Sequence, residues 1–188
     1  MKILAINRVL NQPVDEAINH LSIIPDSAII REGKPFFIPS FSQQWKYEVT
    51  IAFRVKRLGK NIAAKFAHRY IDAIAMAVRT RPIDFEQSIQ ASAITTAFDG
   101  AFIIGDWVEF ESLDSIKSLS IEIESHKISF DLDQLAIEKT IELLSRYLTL
   151  KIGDIIAPAA LAIGGDIIIN TIIDGKLNEQ NNIRLKFK

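Results

Sequence analysis

Glu48, in "YEVTIAFRV" (residues 47–55), is the side chain with the most chemical promise. A carboxylate on a strand serves as a hard-metal ligand, as a general base or as a plain solvated charge. Thr50, two residues on, shares its face. The three histidines, His20, His68 and His126, do not fall at metal-ligand spacing, and a lone histidine is usually structural. Cysteine is absent, which removes disulfides, thiolate metal sites and a thiol nucleophile together. The eight glycines are scattered in turns rather than gathered into a phosphate loop, and no serine stands in a G-x-S-x-G context. Asp99-Gly100 reads as a turn and "IEIESHK" as a solvated strand face. No catalytic constellation emerges from residue types alone.

The chain has 188 residues, enough for one domain with a real core, and we expect a single domain over 1–188. Apolar residues make up 48% and charged residues 24%, both ordinary for a globular fold. The net charge of -1 gives no electrostatic case for nucleic acid or an anionic membrane as partner. "MKILAINRVLNQ" lacks a long apolar run and a small-residue cleavage site, so no signal peptide is expected. No apolar run reaches the ~18 residues of a membrane span. With no cysteine either, a cytoplasmic protein is the expectation. Isoleucine occurs 33 times, and β-branched side chains favour strands.

Those elements must position Glu48. Residues 47–55 alternate strictly, as a half-buried strand does. "KILAI" reads as a short buried strand and "PVDEAINHL" as a helical turn. "SAIIREGKPFFIP" reads as strand, turn at Glu32-Gly33, strand, ended by Pro39. Asn61 is suited to cap "IAAKFAHRY", where Ile62, Phe66 and Tyr70 recur at helical spacing. "IDAIAMAV" is ambiguous by period, either helix or strand. Residues 80–97 read as a loop with one helical turn. "GAFIIGDWVEF" is a strand around a Gly-Asp turn, and "LSIEIESHKISFDL" is a hairpin across Glu124–Lys127. "DQLAIEKTIELLSRYLTL" is a helix with Asp133 as its N-cap. "KIGDIIAP" and "AIGGDIIINTII" are short strands each approached through Gly-Asp, and the C-terminal stretch is a turn and an edge strand. The fold class expected is α+β, mostly β, with rolled or barrel-like sheets and two or three helices.

The order of these segments resembles the fumarylacetoacetate hydrolase family over nearly the whole chain. "YEVTIAFRVKRLGKNI" resembles the strand that carries the family's E-x-E metal motif. "AHRYIDAIAMAV" is similar to its helix and following strand, which places the helix end near Tyr70. "AFDGAFIIGDWV" resembles the stretch after the family's active-site Lys. "YLTLKIGDIIAPAALAIGGDIII" resembles the closing T-L-x-x-G-D-x-I and second G-D segments. The resemblance implies a mixed β-roll fold, a homodimer, and Mg²⁺ or a similar cation held by three carboxylates. That ion chelates a keto acid or diketone whose C–C bond is hydrolysed, decarboxylated or rearranged.

Carried over position by position, the resemblance leaves Glu48 as the remaining metal ligand. The second Glu falls on Thr50, the metal-binding Asp on Arg79, and the Lys on Thr96. The family's histidine belongs near Asn11–Pro13, where there is none, and Glu16 corresponds to its partner acid. The T-G-T-P substrate loop falls on "APAA", residues 157–160. A guanidinium repels a cation rather than binding it. We therefore expect Arg79 to pair with Glu48 in the ion's place, and no metal cofactor, with Mg²⁺ as the alternative. The leading functional expectation is a catalytically inactive relative that binds a small carboxylate through Arg79, Arg81 or Thr96, or that pairs with an active relative. A metal-free enzyme of altered chemistry would need Glu16, Glu48 or His68 as its base. An ordinary metal-dependent hydrolase, decarboxylase or isomerase of acylpyruvates or keto acids would draw ligands from Asp72, Asp84, Glu86 or Asp99.

Overall fold

The computed structural model describes residues 1–14, 21–31, 33–86 and 94–188. The first half forms β1 (Lys2–Ile6), β2 (Leu21–Pro25), β3 (Ile29–Arg31), β4 (Trp45–Val55), β5 (Ile71–Pro82), α1 (Ile83–Glu86) and α2 (Ile94–Ala97). The second forms β6 (Phe102–Ile104), β7 (Val108–Glu109), β8 (Ser118–Ile123), β9 (His126–Asp131), α3 (Ile137–Tyr147), β10 (Ile155–Ala157), β11 (Ala160–Asp166), β12 (Ile172–Leu177) and β13 (Gln180–Lys186). The mostly-β α+β architecture expected from the sequence is the one formed.

One sheet has nine strands in the order β2-β1-β10-β4-β5-β6-β3, with β11 also beside β4 and β7 beside β5. It is mixed: β1 runs parallel to β10 and β3 parallel to β6, while β4 and β5 are antiparallel over eleven register pairs. The second sheet, β13-β12-β8-β9, is antiparallel. The buried Asn182 on β13 ties it to the first, its Oδ1 accepting from the Met76 backbone N–H at 2.7 Å.

β4 alternates as its sequence predicts at its ends, but Thr50 and Ala52 are buried as well as Val49, Ile51 and Phe53. Its second face is therefore covered in the middle rather than solvated. β5 is buried on both faces from Ala73 to Val78, so "IDAIAMAV" carries no period and only its β-branched and small residues hint at a strand. The segment before it, 64–70, is a 3₁₀ helix ending at Tyr70, as the resemblance implies. Asn61 is not its cap: Asn61 has φ +52° and the helix follows Ala63 without a side-chain cap.

Two other expectations change, and one lies outside the described residues. The segment 29–38 is not a hairpin: β3 pairs with β6, and Phe36 makes an isolated parallel bridge to Phe187. Glu32 and most of the "PVDEAINHL" turn (residues 15–20) lie outside the described residues. Asp131 rather than Asp133 makes the capping box before α3, and it caps a 3₁₀ turn over Leu132–Leu135. Ala136, at φ +49°, then resets the backbone into α3.

The Gly-Asp segment before β10 fastens that strand to β1, its neighbour in the sheet. Gly153 turns at φ +85°, and Asp154, 1% exposed, accepts the Lys2 backbone N–H at 3.0 Å and that of Lys151 at 2.9 Å. The Lys2 Nζ forms an ion pair with the same carboxylate. Among the described residues, no helix is long and apolar enough to cross a membrane.

Candidate functional site

A cleft of about 360 Å³ opens where β4, β5, the end of β1 and α2 meet. Alternate residues of one strand face share a side, so β5 offers Arg79 and Arg81 to it together. β4 contributes Glu48, α2 contributes Thr95 and Thr96, and the turn after β1 contributes Asn7 and Arg8. Among the described residues lining it, the charged side chains are three guanidiniums and one carboxylate.

Register places Glu48 directly opposite Arg79 on β5 and opposite Gly164 on β11. The expected Glu48–Arg79 pair is not the contact formed. Arg81, which is diagonal to Glu48 because it opposes Lys46, brings Nη1 to 3.2 Å from Glu48 Oε2. Diagonal neighbours on an antiparallel pair are within reach of long side chains. Arg79 instead extends toward β1 and donates to Asn7 Oδ1. Asn7 is fixed in turn by donating from Nδ2 to Ser22 Oγ at 3.1 Å. The Glu48 and Arg81 side chains are 20% and 40% exposed, so their pair is partly screened by water.

Thr50 does not offer its hydroxyl to the cleft. It is 2% exposed, and its Oγ1 donates to the Ala159 carbonyl at 2.7 Å. That hydroxyl thus holds the "APAA" segment against β4. That segment is buried and also clasps the turn after β1: the Ala160 N–H donates to the Arg8 carbonyl at 2.8 Å, and the Leu10 N–H to the Ala160 carbonyl at 2.9 Å.

Arg8 is a cleft residue that reading the sequence missed. It is 4% exposed, and burial pushes its guanidinium below its usual pKa. Its Nη1 donates to the Gln12 carbonyl at 2.8 Å and its Nη2 to the Leu135 carbonyl. The one available signal was its position directly after the buried "KILAI" strand. Glu16 lies outside the described residues, so the structure does not place it.

The other candidates are elsewhere. His68 faces a separate cleft of about 620 Å³, with Nδ1 3.9 Å from Glu138 Oε1. Asp72 is paired with Arg54 Nε at 2.8 Å. Asp84 accepts from Ser42 Oγ and from the Gln43 N–H at 3.0 Å, which together hold its carboxyl below the usual range. Asp99 lies in the turn after α2, and the Glu86 side chain is outside the described residues. Among the described residues, no three His, Asp or Glu side chains group as a cation site. A small hard cation such as Mg²⁺ needs several oxygen ligands in near-octahedral array. Among the described residues, Glu48 offers a carboxylate to the cleft, the Thr50 hydroxyl is bonded to a carbonyl, and Arg79 brings a guanidinium.

Residues 6–166 match the fumarylacetoacetate (FAA) hydrolase C-terminal family. No curated protein matches the sequence. Solved structures with a similar fold include a fumarylpyruvate hydrolase from Pseudomonas aeruginosa in complex with Mn²⁺ and pyruvate. Its identity is 16% and its TM-score 0.81, over 100% of this chain and 89% of that one. A 5-carboxymethyl-2-hydroxymuconate delta-isomerase from Mycobacterium smegmatis is similar at 18% identity and a TM-score of 0.82, over 99% and 78%. A 2-hydroxyhepta-2,4-diene-1,7-dioate isomerase from Mycobacterium marinum is similar at 16% and 0.83, over 99% and 73%.

Proposed function

The chain belongs to the fumarylacetoacetate (FAA) hydrolase family, and from that premise we propose that it is a degenerate member that binds a small carboxylate without a divalent cation. The observation that carries this reading is the charge of the cleft: Arg8, Arg79 and Arg81 against Glu48 among its described lining. Guanidinium forks match the planar geometry of a carboxylate and bind it through paired N–H donors. They also raise the cost of placing a cation beside Glu48. Thr95 and Thr96 add hydroxyls at the α2 side, suited to an acid that carries a second polar group. The reading includes a homodimer, and a catalytically competent relative is the other class of protein partner.

A specific observation favours a second reading, an active enzyme on an acylpyruvate or keto acid: one structural relative holds Mn²⁺ and pyruvate on the same fold. A thermal-shift titration of the purified chain separates the two. Pyruvate is expected to raise the unfolding temperature saturably, with EDTA making no difference. At ten times Kd the gain corresponds to about 1.4 kcal/mol. Mg²⁺ and Mn²⁺ are expected to produce no saturable rise. A rise that saturates at millimolar Mg²⁺, or acylpyruvate turnover abolished by EDTA, would replace the first reading with the second.

A further inference from the structure

Arg8 is held where an arginine is costly to keep. The residue is 4% exposed, and its guanidinium's hydrogen bonds end on two neutral backbone carbonyls, of Gln12 and Leu135. Its Nε is buried and has no hydrogen-bond partner. No carboxylate among the described residues makes an ion pair with it. A buried ion normally requires a counter-charge and satisfied donors, because carbonyl dipoles replace only part of its lost hydration. An arginine cannot escape the cost by losing its proton.

The position is rigid as well as costly. The Arg8 backbone is clasped by Ala160, and the neighbouring Asn7 is fixed between Arg79 and Ser22. Backbone carbonyls accept from neutral donors as well as charged ones, so the structural bonds alone do not call for a full charge. Arg8 also lines the cleft that holds Arg79 and Arg81.

We propose that Arg8 anchors the anionic group of the cleft's ligand: a carboxylate seated there supplies the counter-charge that the described residues leave out. This rests on the reading of the cleft as a carboxylate site and names the residue on which its affinity depends. Arg79 and Arg81 then steer the remainder of the ligand, while Arg8 fixes its charged end beside β1.

The test is a pyruvate titration at constant ionic strength in the presence of EDTA, read by thermal shift for the unaltered chain, Arg8→Met and Arg8→Gln. Both variants are expected to bind at least tenfold more weakly. Arg8→Gln carries the comparison if Arg8→Met does not fold, since it can still donate to one of the carbonyls. In the unaltered chain, the Arg8 Nε–H resonance in a ¹⁵N-correlated spectrum is expected to shift with the same saturation curve, a response that a purely structural arginine would not give. Binding by a folded variant within twofold of the unaltered chain, or an Nε–H resonance that pyruvate leaves in place, overturns the anchor and leaves the carboxylate site standing. No response of the unaltered chain to pyruvate overturns the site reading, and the anchor with it.

Discussion

Glu48 competes with any anion that comes to the cleft, because it already occupies Arg81 at 3.2 Å. Replacing it by Gln removes the competitor and leaves the guanidiniums in place. Glu48→Gln is therefore expected to tighten pyruvate binding severalfold in the same titration. Because the pair is partly exposed, its loss is expected to lower stability by only about 1 kcal/mol, measured by urea denaturation. Glu48 and Thr50 were legible as residues of interest from their place on an alternating strand. What each does was not. The Thr50 hydroxyl is committed to Ala159, more than a hundred positions away in the chain, and Arg81 reaches Glu48 through a register that no local pattern encodes. Arg8 was invisible for the same reason: its burial depends on Ala160 and Leu135, both distant in sequence.

Among the elements, β4 carries Glu48 to the site, and its pairing with β11 passes through one glycine. Gly164 lies opposite Glu48, and a Cβ there would run into the Tyr47 carbonyl oxygen. A backbone atom cannot swing aside as a flexible side chain can. Gly164→Ala is expected to destabilise by about 2–3 kcal/mol in urea denaturation and to weaken pyruvate binding by displacing β4 at Glu48. Elements with one wet face were readable from the sequence: the β8–β9 hairpin shows its alternation and polar turn, and β13 was readable as an edge strand. Those buried on both faces, β5 above all, have no polar phase to read. β3 was readable as a strand but not by its partner, since a parallel neighbour arrives from a distant segment rather than through a tight turn.

For the whole molecule, Asp154 is the point where distant parts are joined. It is 1% exposed and receives two backbone N–H groups and the Lys2 ammonium. Asp154→Ala leaves those donors without their acceptor at the junction of β1 and β10. It is expected to cost about 3 kcal/mol in urea denaturation. Because Asp154 lies outside the cleft lining, the residual folded fraction is expected to bind pyruvate with unchanged affinity. That separates stability from binding as the Glu48 and Arg8 variants do in the opposite sense.

The pairing of Ile3 with Ile155 has a consequence for how the protein is made. β10, its parallel neighbour, is synthesised some 150 positions after β1. Until β10 is made, β1 has only β2 beside it, with an apolar strand edge open to other nascent chains. The sheet closes on this side only once β10 has been synthesised, so until then the β1 edge relies on transient cover rather than on its native neighbour.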